Sequence, residues 1–186
     1  MKTIVAVLII LSTFCGCGTK HQPLEQAANF RKKLISAEHC SFQTTITADY
    51  GEILHSFQLD CSLDDSGNLI FCVLEPDTIS GISGYISKDN AALTFDDKVL
   101  AFPMLADGQI SPVCSPWLFI NALRSGYISG CSQEEAGLCV YIDDSFSDHP
   151  LSLEIYTDAN CFPVHADFIW QNRRILSLDI ENFIIQ

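Results

Sequence analysis

Positive charge is scarce in this sequence: Lys and Arg number 10 against 23 Asp and Glu, for a formal net charge of −13. So acidic a surface lacks the basic patches that neutralise phosphate, which excludes nucleic acid as a partner, and it disfavours adsorption onto anionic lipid. Catalytic signatures are missing too. No G-x-S-x-G elbow occurs, and "GISG" at 81–84 has no phosphate-loop lysine after it. There is no C-x-x-C pair, and His21, His39, His55, His149 and His165 lack zinc-type spacing. The oxygen-rich stretch "DDSFSDH" at 143–149 has neither the spacing nor the glycine of a calcium loop. No apolar run reaches the roughly 20 residues that span a bilayer, and no tandem repeat occurs. These absences lead us to expect no enzyme, no metal and no cofactor.

What is present begins at the first residue. "MKTIVAVLIILSTFCGCG" opens with Lys2, continues through an apolar stretch from Ile4 to Leu11, and ends in small residues and two cysteines. This is the form of a bacterial export signal. A lipoprotein signal is cut just before a cysteine, with a small residue immediately upstream. Phe14 precedes Cys15 and fits badly; Gly16 precedes Cys17 and fits. The expected organisation is therefore a signal peptide over 1–16, a lipidated Cys17 with a polar tether to residue 25, and one domain over 26–186. A thioether diacylglycerol plus an amide-linked chain would hold the body firmly, because each buried methylene contributes about 0.8 kcal/mol. The expected location is the extracytoplasmic face of the cell membrane.

At 48% hydrophobic and 18% charged, the remainder is a folding chain with a substantial core. "LEQAANFRKKLISA" places Leu24, Ala27, Ala28, Phe30, Leu34 and Ile35 at helical intervals. The period then becomes two: Phe42, Thr44, Ile46, Ala48 and Tyr50 alternate with polar residues, and Ile53, Phe57, Leu59, Cys61 and Leu63 continue on one face. "LIFCVLEP" is a further strand, and "ISGISGYISKDNAALTFDDKVLAF" breaks into short ones. A second helix is expected over "SPWLFINALRSG", with Ser115 capping, Pro116 in the first turn and Gly126 as the stop. Strands return at 127–132, 138–143, 151–157, 162–170 and 174–184. The reading is mainly β (α+β), with nine or ten antiparallel strands and two helices. In the last hairpin, a three-residue turn "QNR" pairs Trp170 with Arg174, Phe168 with Leu176, Ala166 with Leu178 and Val164 with Ile180. That register makes one apolar face and sets His165 opposite Asp179 on the other.

After cleavage at Cys17 the cysteines left are 40, 61, 72, 114, 131, 139 and 161, an odd number that cannot pair completely. A short loop at 134–136 would set Cys131 opposite Cys139 as a candidate disulfide. Similar symmetric turns would set Cys61 opposite Cys72, or Cys40 opposite Cys61. The alternative is that the thiols are buried and free, serving as small apolar residues.

The order of a helix, a long meander and an apolar helix at mid-chain, with the pieces "FQTTITADYG", "LIFCVLEPDTISGISGYI", "LTFDD" and "RILSLDIENFII", resembles the outer-membrane lipoprotein carrier (LolA-like) superfamily. It also resembles lipoproteins of anaerobic Gram-positive bacteria that share that architecture. The resemblance implies a curved antiparallel sheet, or incomplete β-barrel, wrapped around helices, with a concave face that holds an acyl chain, a lipid or a lipidated partner. Phe42, Phe57, Phe71, Trp117, Phe119, Phe168 and Trp170 are the candidate lining residues, beside the helix over 116–125. The alternative is a non-enzymatic protein-interaction or envelope-sensing subunit whose interior is filled by its own helix. Cavity volume separates the two, since ligand pockets occupy roughly 300 Å³ or more.

Overall fold

The computed structural model describes residues 22–49, 51, 54–64, 66–88, 90–95, 98–102, 105–106, 109–143 and 151–186. The export signal, Cys15, Cys17, most of the tether and the stretch 144–150 lie outside the described residues.

The chain enters through helix α1 (Gln22–Ser36). Gln22 to Glu25, assigned from sequence to the tether, belong to this helix, because Pro23 sits in the first turn, where its missing N–H leaves no helical bond unmade. Of the expected apolar stripe only Ala27, Phe30 and Leu34 are buried, whereas Leu24 and Ile35 are 46% and 52% exposed.

Six strands follow: β1 (Cys40–Asp49), β2 (Leu54–Leu63), β3 (Leu69–Glu75), β4 (Ser83–Ile86), β5 (Ala91–Phe95) and β6 (Lys98–Phe102). After them come the two-residue strands β7 (Leu105–Ala106) and β8 (Gln109–Ile110), a 3-10 turn at Pro112–Cys114 and helix α2 (Ser115–Ser125). The chain ends in β9 (Tyr127–Gln133), β10 (Leu138–Asp143), β11 (Leu151–Thr157), β12 (Pro163–Trp170) and β13 (Arg173–Ile185). Eleven strands form one antiparallel sheet in the order β6-β5-β4-β3-β2-β1-β13-β12-β11-β10-β9, and β7 pairs only with β8. Each half is a meander, and pairing of β1 with β13 fuses them. The sheet stays open, with β6 and β9 as its edges.

Alternation along β1 is complete: Cys40, Phe42, Thr44, Ile46 and Ala48 are buried, and the residues between them are more exposed. The inner face of the sheet covers α2, whose Trp117, Leu118, Phe119 and Ile120 are all buried. Four consecutive buried residues face different sides of a helix, so the sheet and α1 together surround most of it. Phe119 meets Phe42 of β1, a Cβ at Gly126 would strike Ile142 of β10, and Trp117 and Ile120 lie beside the β2–β3 turn. Ser115 does not cap α2. Its hydroxyl donates to the Pro112 carbonyl at 2.6 Å, and Cys114 occupies the cap position at the end of the 3-10 turn. Gly126 ends the helix with φ −64, so what demands glycine there is the close approach of Ile142.

Phe30 of α1, Phe42 of β1 and Phe183 of β13 are linked by ring-centroid distances of 5.6 to 6.1 Å, which ties the first helix to the seam between the two halves. Arg31 adds a polar tie: its Nε donates to the Leu123 carbonyl at 2.7 Å and Nη2 to that of Ala122 at 3.3 Å, satisfying acceptors at the C-terminal end of α2. The core runs from Ala27 to Ile180, and the hydrophobic residues packed against it end at Ile185. A chain starting at Gly18 therefore keeps every core contact made among the described residues.

Register departs from expectation in instructive places. Phe168 pairs with Leu176, Ala166 with Leu178 and His165 with Asp179, as the apolar pattern requires. At the tip, however, Trp170 pairs with Arg173 rather than Arg174. Gln171 and Asn172, at φ 50 and 62, make a two-residue turn, and a bulge after Phe168 restores the register. The proposed pairing of Val164 with Ile180 is lost: β11 pairs Tyr156 with His165 and then Thr157 with Pro163, which leaves Val164 unpaired there and exposed.

The cysteine pairings also fail. The β9–β10 loop has four residues, closed by the Glu134 amide donating to the Gly137 carbonyl, so Cys131 faces Val140 and Cys139 faces Ser132. Directly opposed residues point the same way, and this one-residue slip puts the two sulfurs on opposite faces of the sheet. The reason is packing: the observed register puts Leu138, Val140 and Ile142 inward, and a side chain at Gly137 would run into the Thr157 and Asp158 carbonyls. Cys61 faces Phe71 and Phe42, Cys72 faces Asp60, and Cys40 faces Leu63. All seven described cysteines are free thiols.

Candidate functional site

The concave face is the expected site, and its residues converge there as packing rather than as lining. Phe42, Phe71, Phe119 and Phe168 are at most 1% exposed and Trp117 is 7%. Phe57 and Trp170 are partly buried against the same core. Phe42 and Phe119 meet edge to face at 5.9 Å, and Phe71 presses on the backbone at Gly84. The apolar gap beside α2 is lined by Ala27, Phe30, Leu123, Ile128, Val140 and Ile155 among others, and its volume is about 10 Å³. That is room for about one water and far below what a ligand needs. Among the described residues the interior is filled.

Larger recesses among the described residues lie at the rim. One of about 410 Å³ is bounded by Leu34, Ala37, Glu38, Cys40, Leu63, Asp64 and Arg124. A neighbour of about 290 Å³ is bounded by Ser66, Gly67, Asn68, Lys88, Trp117, Ile120, Asn121, Arg124 and Ser125. Both are built by the β2–β3 turn closing over the end of α2. Asp64 organises that turn, accepting at 2.9 Å from the Ser66 amide, the Asn68 amide and the Asn68 side chain, and these bonds hold its carboxyl below the usual range. Sequence reading missed this pair of grooves. The available signal was Arg124, the one cation in an otherwise apolar second helix.

The outer face carries the other polar cluster. Cys139, Tyr156, His165 and Asp179 stand side by side across four strands. His165 Nδ1 lies 2.7 Å from Asp179 and Nε2 3.2 Å from Asp167, which Arg174 also approaches at 3.6 Å. Tyr156 donates to Glu154 at 3.2 Å, and burial together with Cys139 and Glu154 pushes its phenol up. Burial likewise pushes up the thiols of Cys139 and Cys131, and takes Cys40 to about 12 and Cys114 to about 11. Thiols raised in this way are poor nucleophiles. Among the described residues no group of three His, Cys, Asp or Glu could hold a metal ion, and no helix is long and apolar enough to cross a membrane.

The fold is an open antiparallel sheet of eleven strands packed against two helices. Among solved structures the chain is similar to the LolA superfamily protein NE2245 from Nitrosomonas europaea, with a TM-score of 0.45 and 11% identity over 91% of this chain and 94% of that one. It is also similar to an uncharacterized conserved protein from Thermus thermophilus, with a TM-score of 0.49 and 11% identity over 88% and 87%. For the lipoprotein LppX of Mycobacterium tuberculosis the values are 0.39 and 13%, over 86% and 94%. No family model and no curated protein matches the sequence. The likeness is one of fold. Relative to the apolar cavity expected beside the second helix, the gap found there among the described residues is only about 10 Å³.

Proposed function

We propose that this protein is an extracytoplasmic lipoprotein, held to the cell membrane through Cys17, and that its LolA-like body is a non-enzymatic module that binds a protein partner on its outer surface. The observation that carries this reading is the filled interior: the apolar gap beside α2 is about 10 Å³, and the side chains expected to line a ligand channel are buried against one another. The absence of covalent chemistry is part of the proposal. It is supported by the high-lying thiols of Cys40 and Cys114. A second reading, an acyl chain admitted beside α1, is favoured by one feature: the residual gap is apolar and lies directly under Ala27 and Phe30.

Titration of a chain starting at Gly18 with a fluorescent fatty acid separates the two. We expect no saturable binding. Saturable binding at micromolar concentration would restore the acyl-ligand reading and require α1 to lift. Phe168→Asp is unsuitable as a non-binding control, because Phe168 is fully buried and a charge there would unfold the body. The anchor is tested separately by growth on a clickable fatty acid. The wild type and Cys15→Ala should be labelled and Cys17→Ala should not; a label that survives Cys17→Ala rules out that attachment site.

A further inference from the structure

Cations are rare on this protein, and most of its arginines are engaged. Arg31 bonds two backbone carbonyls, Arg173 pairs with Asp49 at 3.3 Å, and Arg174 approaches Asp167. Arg124 has no hydrogen bond or ion pair among the described residues, although it is half-buried at the wall shared by the two rim grooves. The β2–β3 turn is shaped to receive it. Gly67 has φ +77, and a Cβ there would lie 2.6 Å from Arg124 Nη1, so the guanidinium rests against bare backbone. Asp64 forms no ion pair with Arg124; its oxygens accept the Ser66 and Asn68 bonds inside the turn.

The two grooves differ in sign. The 410 Å³ groove has Glu38 and Asp64 beside Arg124. The 290 Å³ groove has Lys88 and Arg124, the hydroxyls of Ser66 and Ser125, the amides of Asn68 and Asn121, and no carboxylate among its described lining residues. It brings two cations together in a chain of net charge −13. A guanidinium fork and an ammonium together match the oxygens and double charge of a phosphate. The floor, Trp117 and Ile120, is nearly sealed, which leaves no path for an apolar tail.

We propose that the groove formed by Lys88, Arg124, Asn121 and the 66–68 turn binds the phosphate group of a small, polar, water-soluble molecule. This goes beyond the module reading and does not depend on a protein partner. The choice of a soluble source over a lipid headgroup follows from position, given the anchor proposed above. Leu34, Ala37 and Glu38, at the C-terminal end of α1, border Arg124, whereas Cys17 precedes the N-terminal end. A helix of 15 residues is about 22 Å long, which sets the groove well away from the anchored end.

The test is a titration of the chain starting at Gly18 with inorganic phosphate and with glucose 6-phosphate, read by the Gly67 backbone amide NMR signal, beside a pull-down on phosphatidylglycerol vesicles. Both soluble phosphates should saturate the signal. Arg124→Gln should weaken binding about ten-fold or more, and Lys88→Gln by a smaller factor. Arg124→Lys, which keeps the charge and loses the fork, should fall between, and Arg173→Gln should bind as the wild type does. Because Arg124→Gln could disturb the turn, Lys88→Gln, on an exposed side chain, is the variant that must show weakening whatever the other does. Absence of saturation in the wild type, or unchanged affinity in Lys88→Gln, overturns the site. Vesicle binding that both substitutions abolish overturns the soluble source. Neither result bears on the fatty-acid titration, so this proposal and the filled-interior reading can fail independently.

Discussion

Phe119→Ala should lower the free energy of unfolding by about 3–5 kcal/mol, the range for removing a buried ring from a core that cannot collapse around the hole. Phe119 is fully buried at the centre of α2 and meets Phe42 at 5.9 Å and Phe183 at 6.4 Å. Its helix is covered by the sheet and by α1, so the walls of the cavity would belong to three different elements and could not follow a single backbone shift inward. Typical domains have only about 5–15 kcal/mol in total, so the loss would be a large part of the whole. Urea unfolding should show a lower midpoint at unchanged slope. Phe57→Ala, on a side chain only partly buried, is the comparison and should cost clearly less. Equal small losses for both would mean that the interior is loosely filled, and the acyl-ligand reading would regain support.

Stability should also fall steeply between pH 9 and about pH 12. Burial raises Cys40 to about 12 and Cys114 to about 11, and pushes Cys61 well above its ordinary value of 9.0. Below pH 9 these thiols are protonated in both the folded and the unfolded chain, so their contribution is fully present. Above it the unfolded chain releases protons that the folded chain still holds. The unfolded state then binds fewer protons, and stability declines by about 1.4 kcal/mol per pH unit for each such thiol until the folded value is reached. The raised phenol of Tyr156 adds in the same direction at the upper end. Unfolding free energies measured from pH 7 to pH 11 should be level at first and then drop. Cys114→Ala should remove one thiol's share of the slope. A level profile through pH 11 would show that these thiols are not buried as described.

How far the site could be read from sequence varies with the kind of signal. His165 opposite Asp179 was legible because a period of two over two long apolar strands leaves one register with a continuous apolar face. Cys131 opposite Cys139 was not, because only a loop length was available there, and the space at Gly137 is set by the Thr157 and Asp158 backbone on another strand. The seven aromatic lining candidates lie in the core or pack against it. Whether inward means a wall or a plug depends on what stands opposite, and alternation carries no information about that. Arg124 was passed over because an arginine near a helix C-terminus ordinarily needs no explanation, and the turn that receives it is distant in sequence.

The amino-acid sequence alone determined the mainly β character, the two helices, the inward faces of the long strands and the polarity of the outer surface, since each follows from local periodicity and the burial of apolar side chains. Only the tertiary structure decided that β1 joins β13, that the sheet ends open at β6 and β9, that α2 fills the concavity, and that Lys88 and Arg124 meet at one groove. Those outcomes depend on which surfaces, far apart along the chain, fit against each other. That fit is set by volume and by close approach of backbone, as at Gly84, Gly126 and Gly137, and one-dimensional patterning does not encode it.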